Sequence, residues 1–213
     1  MLLDVLVLAA GKGTRMCSAL PKVLHPLAGK PLLAHVFKSV ETLDNAAINV
    51  IVGHGKTQIQ EAFNQQSLNW VEQRSQLGTA HAVLQAIPFL RDDAKVLIVY
   101  GDVPLIKSVT LEKMLSGVDE NAMALLTVEL EDPTGYGRIL RNSMGEVIGI
   151  VEQKDAAPEQ LKIREVNTGV MAMTARDLKT WLPKIENNNA QQEYYLTDVI
   201  GLAKGAGRTV NTY

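Results

Sequence analysis

Residues 3–16 read LDVLVLAAGKGTRM. The apolar run Val5–Ala9 is continuous, which is typical of a parallel strand buried on both faces. Two glycines, Gly11 and Gly13, follow the run. Ligands of open α/β sheets bind at the carboxyl ends of the strands, and glycine lets a backbone approach a phosphate closely. This stretch therefore predicts a first buried strand followed by an anion-binding loop.

Working outward from this loop, short apolar runs alternate with longer helical patterns. Pro31 opens a helix whose apolar residues recur at helical spacing as far as Leu43. Further strands are predicted over 48–52, 68–71, 96–100 and 123–130, and helices over 56–63, 79–87 and 108–115. Ser108 is the expected N-cap of the last of these helices. This alternation favours a parallel sheet with right-handed crossovers.

The pattern changes after Asp132. The runs 138–141 and 147–151 flank a polar turn and predict a β-hairpin, which is followed by a strand over 166–173. Helices are predicted over 175–182 and 196–203. We therefore predict an α/β fold with a mostly parallel, Rossmann-like sheet flanked by helices. We expect the range 1–213 to form a single domain, with a substrate-binding lobe inserted in its second half.

The composition narrows the function classes. Of 213 residues, 46% are hydrophobic and 21% charged, a normal globular balance, and the net charge is −2. This charge predicts neither a nucleic-acid partner nor an acidic tail. Apolar stretches are far shorter than the ~20 residues of a membrane span, and the start lacks the basic region of a signal peptide. We expect a cytoplasmic protein without membrane insertion.

The segment between Asp4 and Glu41 contains no acidic residue. Such positive charge around a glycine-rich loop suits a polyanionic ligand. Arg15 and Lys22 belong to the loop motif and are the candidate catalytic residues, whereas Lys30 is interpreted as a surface residue. The loop is neither a Walker A motif nor a dinucleotide-binding fingerprint, because its glycine spacing fits neither pattern.

Two further motifs follow predicted strands. Asp102, in the sequence Tyr100-Gly101-Asp102, is well placed to hold Mg²⁺ near a nucleotide phosphate. Gln73 has amide donors and an acceptor that can bind the edge of a pyrimidine, and the backbone N–H of Gly78 can do the same. A surface glutamine is more often simply solvated, so this motif is the weaker of the two.

Neutral and acidic hydrogen-bonding residues mark the second half of the chain. Groups of this kind suit sugar hydroxyls or an amide; they are Gly137, Glu152, Asn167, Thr168 and Thr197. The four histidines, His25, His35, His54 and His81, lack metal-ligand spacing, and the sequence identifies no catalytic base for Cys17. We interpret the four histidines as structural and Cys17 as a loop residue.

Together these motifs resemble the sugar-1-phosphate nucleotidyltransferases. Among them, the chain is most similar to the N-terminal uridylyltransferase domain of bacterial bifunctional N-acetylglucosamine-1-phosphate uridylyltransferases/glucosamine-1-phosphate acetyltransferases. The resemblance covers nearly the whole chain. Its motifs are LAAGKGTRM (8–16), LPKVLH (20–25), QLGT (76–79), DPTGYGR (132–138), GIVEQKD (149–155) and NNNAQQEYYLTD (187–198).

The resemblance implies a reaction. UTP and N-acetylglucosamine 1-phosphate would give UDP-N-acetylglucosamine and pyrophosphate, for peptidoglycan and lipopolysaccharide synthesis, with Mg²⁺ as cofactor. The implied fold is that of nucleotide-diphospho-sugar transferases. By matching motif, Leu8, Ala9, Ala10 and Gly11 would line the nucleoside. Gln73, Gly78 and Thr79 would bind uracil, and Tyr100, Gly101 and Asp102 would face ribose and α-phosphate, with Asp102 on the metal. Arg15 and Lys22 would neutralise the triphosphate, and Gly137, Glu152, Asn167 and Thr168 would hold the amino sugar.

The resemblance also carries expectations about the chain's extent. The family's catalytic domain continues to an asparagine that is a second metal ligand, and then to a left-handed β-helix that carries acetyl transfer and trimerisation. Without them we expect a monomer with low turnover that frays after Val210. Other readings stay open: a nucleotidyltransferase for another sugar 1-phosphate, a glycosyltransferase, or a sugar-nucleotide-binding fragment.

Overall fold

The computed structural model describes residues 2–11, 13 and 16–213. The strands are β1 (Leu3–Ala9), β2 (Pro26–Leu27), β3 (Lys30–Pro31), β4 (Ala46–Val52), β5 (Asn69–Glu72), β6 (Lys95–Tyr100), β7 (Ala122–Glu129), β8 (Arg138–Arg141), β9 (Val147–Val151), β10 (Glu165–Thr174) and β11 (Thr209–Thr212). The α-helices are α1 (Leu32–Val40), α2 (Lys56–Ala62), α3 (Thr79–Ala86), α4 (Ser108–Ser116), α5 (Ala175–Trp181) and α6 (Val199–Gly205).

Within the described residues, one large sheet has the main strand order β11-β7-β10-β6-β1-β4-β5. β1 pairs in parallel with β4 and β6, and β4 pairs in parallel with β5. The predicted α/β fold with a mostly parallel, Rossmann-like sheet is confirmed. β10 runs antiparallel to both of its neighbours, β6 and β7, so the second half of the sheet is mixed.

Helices cover both faces of the sheet. Leu6 and Leu8 of β1 pack in one cluster with α3, α5 and α6, whereas Val5 and Val7 pack in the opposite cluster with α1 and α4. Val5, Leu6 and Val7 are fully buried, and burying a side chain of this size contributes roughly 1.5–3 kcal/mol. Burial on both faces explains why the β1 sequence is a continuous apolar run.

The predicted hairpin is present and stands off the main path of the sheet. β8 and β9 pair antiparallel, and β8 is attached to β10 through Val166 and Arg138. This is the position expected of an inserted lobe. That the lobe binds a substrate stays a prediction.

Several expected boundaries are wrong by a few residues. Ser108 is the first residue of α4 and not its N-cap, because the extended backbone of Lys107 takes that position without a side-chain cap. The predicted helix over 196–203 starts as a 3₁₀ turn, Leu196–Asp198, before α6. The expected fraying after Val210 is also wrong, because β11 pairs in parallel with β7.

Across residues 2–11, 13 and 16–213, none of the helices has the length and apolar character that crossing a bilayer requires.

Candidate active site

A lysine and an aspartate meet beside the glycine loop. Lys22 lies in a 3₁₀ turn and Asp102 follows β6, yet the Lys22 ammonium donates to an Asp102 carboxylate oxygen in an ion pair. The two side chains are 40% and 24% exposed, so the pair is accessible to a ligand. A Cβ built on Gly13 would lie 2.9 Å from the Cβ of Lys22. The glycine loop and the ion pair therefore share one corner of the sheet, which we call the phosphate corner.

The ends of β1 and β6 are joined at this corner. The Gly101 N–H donates to the Leu8 carbonyl over 2.9 Å. Leu8, Ala9 and Ala10 are all buried, and Gly11 is exposed. Because the side chains of this stretch pack inward or are small, it offers a ligand mainly backbone groups.

The 73–78 loop, between β5 and α3, carries the predicted pyrimidine-binding groups. Gln73 is 3% exposed, and its Nε2 lies 3.1 Å from the Gly78 carbonyl oxygen and 3.0 Å from His81 Nδ1. Gln76 donates from its amide to the Gln73 carbonyl over 3.2 Å. Among the described residues, no hydrogen bond reaches Gln73 Oε1 or comes from the Gly78 N–H. Both predicted pyrimidine-binding groups are therefore available to a ligand.

The backbone of Tyr194 holds this loop in place. Gly78 has a φ of +118°, and a Cβ there would lie 2.4 Å from the Tyr194 carbonyl oxygen, so only glycine fits. The Tyr194 N–H donates to the Leu77 carbonyl over 2.8 Å, and its carbonyl accepts from the Ala80 N–H over 2.9 Å. The chain near Tyr194 therefore clamps the 73–78 loop against the first turn of α3.

A second group of residues meets where the β8–β9 hairpin approaches the 3₁₀ turn before α6. Thr197 Oγ1 donates to Glu152 Oε1 over 3.2 Å, and a Cβ built on Gly137 would lie 3.2 Å from the same oxygen. Burial raises the pKa of Glu152. The Thr197 hydrogen bond opposes this rise, and the Asp155 and Asp198 carboxylates add to it.

β10 closes this second group at an irregularity in its pairing with β7. The Asn167 N–H donates to the Gly137 carbonyl over 2.9 Å, and Asn167 Oδ1 accepts from the Gly169 N–H over 2.8 Å. Thr168 Oγ1 donates to the Leu126 carbonyl over 2.7 Å. Asn167 thus lies beside the hairpin, whereas the hydroxyl of Thr168 stabilises the bent backbone.

Tyr100 connects the two groups. A Cβ built on Gly169 would lie 2.4 Å from the Tyr100 ring, so the ring packs directly against β10. Burial raises the pKa of the Tyr100 phenol, and the carboxylates of Glu152 and Asp102 raise it further. Because Asp102 follows Tyr100 by two residues and Asn167 precedes Gly169 by two, this ring contact brings the phosphate corner next to the Glu152 group.

A cavity of about 230 Å³ opens beside Glu152. Its wall includes Asp155, Glu186 and Asp198, and burial together with Asp155 raises the pKa of Asp198. A wall with this many carboxylates disfavours a second anion and suits hydroxyl or amide groups of a neutral ligand.

Asp102 is the side chain that fits a metal ion. The described residues contain no group of three or more histidine, cysteine or acidic side chains that could enclose one. Mg²⁺ is commonly held by one or two carboxylates together with substrate phosphates, and it does not need an all-protein cage. The accessible Asp102 carboxylate, beside a loop suited to phosphate, fits a divalent cation that binds together with a nucleotide.

The profile of the "MobA-like NTP transferase domain" matches residues 5–162. This range contains the phosphate corner, the 73–78 loop and the β8–β9 hairpin. The chain belongs to the MobA-like NTP transferase domain family. As a member of this family the chain is a nucleotidyltransferase domain.

Relatives agree with this family, and a solved structure shares the fold. The "Bifunctional protein GlmU" of Cellvibrio japonicus is 54% identical over 210 residues, and that of Marinobacter nauticus is 54% identical over 208 residues. The alignments cover 99% and 98% of this chain but 46% of each relative, so the chain spans about half their length. A UDP-glucose pyrophosphorylase complexed with UDP-glucose has a TM-score of 0.76 at 18% identity, over 100% of this chain and 90% of that one, which shows a shared fold.

The predicted site residues divide between the two halves of this candidate site. Around the phosphate corner and the 73–78 loop lie Leu8, Ala9, Ala10, Gly11, Lys22, Gln73, Gly78, Thr79, Tyr100, Gly101 and Asp102; around Glu152 lie Gly137, Asn167, Thr168 and Thr197. Thr79 Oγ1 accepts from the Leu196 N–H over 3.0 Å, so its hydroxyl, like that of Thr168, already stabilises the backbone. Arg15, the other predicted catalytic residue, lies outside the described residues.

Sequence reasoning missed two contributors to the site. His81 is interpreted above as structural, yet its ring contacts the buried amide of Gln73. Tyr194 contributes only backbone groups, which leave no signal in the sequence. For His81, the available signal is its place in the first turn of the helix that follows Gly78.

Proposed function

We propose that this chain transfers the uridylyl group of UTP to N-acetylglucosamine 1-phosphate, giving UDP-N-acetylglucosamine and pyrophosphate. The observation that carries the proposal is the packing of the Tyr100 ring against β10, which brings two half-sites together. One half offers Lys22 and Asp102 beside a glycine loop, and the other offers Glu152 beside a cavity lined by carboxylates. The resemblance of the sequence motifs selects these substrates among those of sugar nucleotidyltransferases.

The nucleotide is bound through complementary hydrogen bonds. Uracil presents an N3–H donor between two carbonyl acceptors. The free Oε1 of Gln73 accepts from N3–H, and the free Gly78 N–H donates to a uracil carbonyl. The backbone of residues 8–11 packs along the nucleoside, and Tyr100 and Gly101 face the ribose.

The sugar phosphate is bound in the other half. Glu152 accepts from sugar hydroxyls, and so does Thr197 Oγ1, whose own proton is donated to Glu152. Asn167, together with the backbone at Gly137 and Thr168, binds the acetamido group. The carboxylate wall of the neighbouring cavity keeps the sugar ring there and directs its phosphate toward the phosphate corner.

In the reaction, a phosphate oxygen of the sugar phosphate attacks the α-phosphorus of UTP. The new O–P bond forms as the bond between the α-phosphorus and the bridging oxygen breaks, and pyrophosphate leaves with that electron pair. The second pKa of a phosphate monoester is ~6, so the nucleophile is already an anion and needs no general base. Catalysis is then mainly positioning and charge neutralisation.

Lys22 and Asp102 have different roles in neutralising the charge of the phosphates. Asp102 would hold Mg²⁺, which supplies charge neutralisation on the phosphates when it is bound. The Lys22 ammonium, which pairs with Asp102 here, turns toward the phosphates and stabilises the charge of the leaving pyrophosphate. Arg15 is proposed to act alongside Lys22.

Base specificity gives the first prediction. The kcat/KM for UTP is expected to exceed that for CTP by about 10³-fold or more, because cytosine presents an acceptor at N3 and would leave Gln73 Oε1 unpaired. Initial rates with the two nucleotides, at a fixed concentration of N-acetylglucosamine 1-phosphate, measure this ratio. Comparable values would remove Gln73 from base recognition.

Sugar binding gives the second prediction. Glu152→Gln keeps the shape of the side chain but removes a buried acceptor charge, so the KM for the sugar phosphate is expected to rise roughly tenfold or more. The KM for UTP should change by less than about threefold. Because burial raises the Glu152 pKa, wild-type affinity for the sugar phosphate should improve as pH rises through that pKa, and the Gln variant should lose this dependence.

The matched control is Glu159→Gln, at a carboxylate that is 82% exposed and that pairs, within the described part of the chain, only with Lys162. This variant should match the wild type in both KM values. A Glu152→Gln variant with an unchanged sugar-phosphate KM would show that the sugar binds elsewhere.

The experiment that tests the proposed function is pyrophosphate release from UTP, measured with and without N-acetylglucosamine 1-phosphate and Mg²⁺. Product identification with a panel of nucleotides and sugar 1-phosphates distinguishes the remaining alternatives. Faster turnover of another sugar phosphate would correct the substrate, and nucleotide-sugar binding without turnover would identify a binding fragment.

A further inference from the structure

The amide of Gln73 is held from two sides. Its Nε2 lies 3.1 Å from the Gly78 carbonyl oxygen and 3.0 Å from His81 Nδ1, in a side chain that is 3% exposed. His81 belongs to the first turn of α3, immediately behind the loop that carries Gly78. Both hydrogen atoms of the amide nitrogen therefore have an acceptor.

These contacts identify which end of the Gln73 amide is the nitrogen and which is the oxygen. A backbone carbonyl oxygen only accepts, so the Gln73 atom beside Gly78 is the nitrogen and not the oxygen. The same nitrogen then donates to His81 Nδ1, which must carry no proton. A neutral imidazole has one N–H, so the His81 proton resides on Nε2.

We infer that His81 is a positioning residue that specifies uracil by fixing the orientation of the Gln73 amide. The inference rests on the proposed function and extends it. With Nε2 held between Gly78 and His81, Oε1 is the atom left for the base, and an oxygen there accepts from uracil N3–H. If the amide rotated by half a turn, the NH₂ group would instead meet the base and match the N3 acceptor of cytosine.

Without His81, the Gly78 carbonyl alone would hold the Gln73 amide less firmly in this orientation. Its carbonyl oxygen also accepts from the Ala82 N–H over 3.1 Å in the first turn of α3, so it is shared between two donors. Loss of the His81 acceptor removes one neutral hydrogen bond from the favoured orientation. A hydrogen bond of this kind corresponds to a change of roughly tenfold in the ratio of the two orientations. The preference for UTP over CTP is expected to fall by about that factor.

Two substitutions of His81 test whether the position of the acceptor atom matters or whether any polar side chain suffices. Asparagine carries its amide oxygen two bonds from Cβ, as histidine carries Nδ1. Glutamine carries it three bonds from Cβ, as histidine carries Nε2. His81→Asn is therefore expected to keep an acceptor for Gln73, whereas His81→Gln is not.

Gln85 provides the control on the same helix. Its Nε2 lies 3.1 Å from the His81 carbonyl oxygen, and it lines a cavity of about 320 Å³ together with Glu72 and Arg74. Gln85 Nε2 also lies 3.4 Å from His81 Nε2, but with the His81 proton on Nε2 both atoms are donors, so this contact is not a hydrogen bond and does not involve the Nδ1 acceptor. Gln85→Ala should leave the ratio of UTP to CTP affinity unchanged.

The test is calorimetric titration of the full chain with UTP and with CTP, in the presence of Mg²⁺, for the wild type and the variants His81→Asn, His81→Gln and Gln85→Ala. Thermal melting confirms that each variant is folded. The expected result is a wild-type-like affinity ratio, within about twofold, for His81→Asn and Gln85→Ala, and a ratio lowered about tenfold for His81→Gln. The same ordering should appear in kcat/KM, chiefly through the KM for UTP.

An unchanged ratio in His81→Gln, or an equal loss in His81→Asn and His81→Gln, would overturn the inference. Binding measurements keep this result separate from the proposed reaction. A wild type that prefers UTP in binding but does not release pyrophosphate with N-acetylglucosamine 1-phosphate would refute the reaction alone. A wild type without any preference for UTP would overturn both.

Discussion

Asp102→Asn is expected to lower the rate of pyrophosphate release by about 10³-fold or more, with the fold intact. Asparagine has the same shape as aspartate but lacks the charge that holds a divalent cation and pairs with Lys22. Because this ion pair is partly exposed, its loss should change the free energy of unfolding by no more than ~1 kcal/mol. Initial rates and thermal melting, measured on the same preparation, test both statements.

Asp44→Asn is the matched control. Asp44 is exposed and precedes β4, whereas Asp102 follows β6. Because β4 and β6 both run parallel to β1, the two carboxylates lie at opposite ends of the strands. Its substitution should leave the rate at the wild-type level. A wild-type rate in Asp102→Asn would mean that another group holds the metal.

Lys22→Ala is expected to slow turnover by about 10²–10³-fold, the usual effect of losing one preorganised charge-stabilising group. The effect should fall on kcat, while the KM for the sugar phosphate changes little, because Lys22 acts on charge that develops as pyrophosphate leaves. Steady-state kinetics with both substrates varied separates the two parameters. Arg15→Ala should have a similar effect.

Two further lysine variants sharpen this test. Lys22→Arg keeps the positive charge and should retain more activity than Lys22→Ala. Lys30→Ala removes an exposed charge from the same acid-free segment and should behave as the wild type. If Lys22→Ala altered only the affinity for the sugar phosphate, Lys22 would belong to the sugar half of the site.

The parallel half of the fold could be predicted because each of its elements carries a local signal. β1 is a continuous apolar run that is buried on both faces, and α1 shows helical spacing. The antiparallel direction of β10 could not be predicted in this way. It depends on pairing with β6 and β7, which are distant in sequence, and no local pattern encodes that choice.

The same difference separates the predicted site residues from the missed ones. Lys22 and Asp102 stand in motifs and carry charge, so their chemistry could be inferred without coordinates. His81 stands outside the quoted motifs, and its contact with Gln73 arises only when the loop folds back on α3. Thr79 and Thr168 belong to the predicted set, but the hydroxyl of each makes a hydrogen bond with the backbone. The spacing of residues in the sequence does not reveal these contacts.

The clamp formed by Tyr194 has a consequence for hydrogen exchange. The amide protons of Ala80 and Tyr194 are bonded to groups on the opposite segment, although more than a hundred residues separate the two positions in sequence. Neither amide can exchange with solvent deuterium until the two segments part. Amides that share one opening event exchange with the same free energy of opening. Ala80 and Tyr194 should therefore show matched protection factors, and a uridine nucleotide that contacts only the 73–78 loop should raise both together.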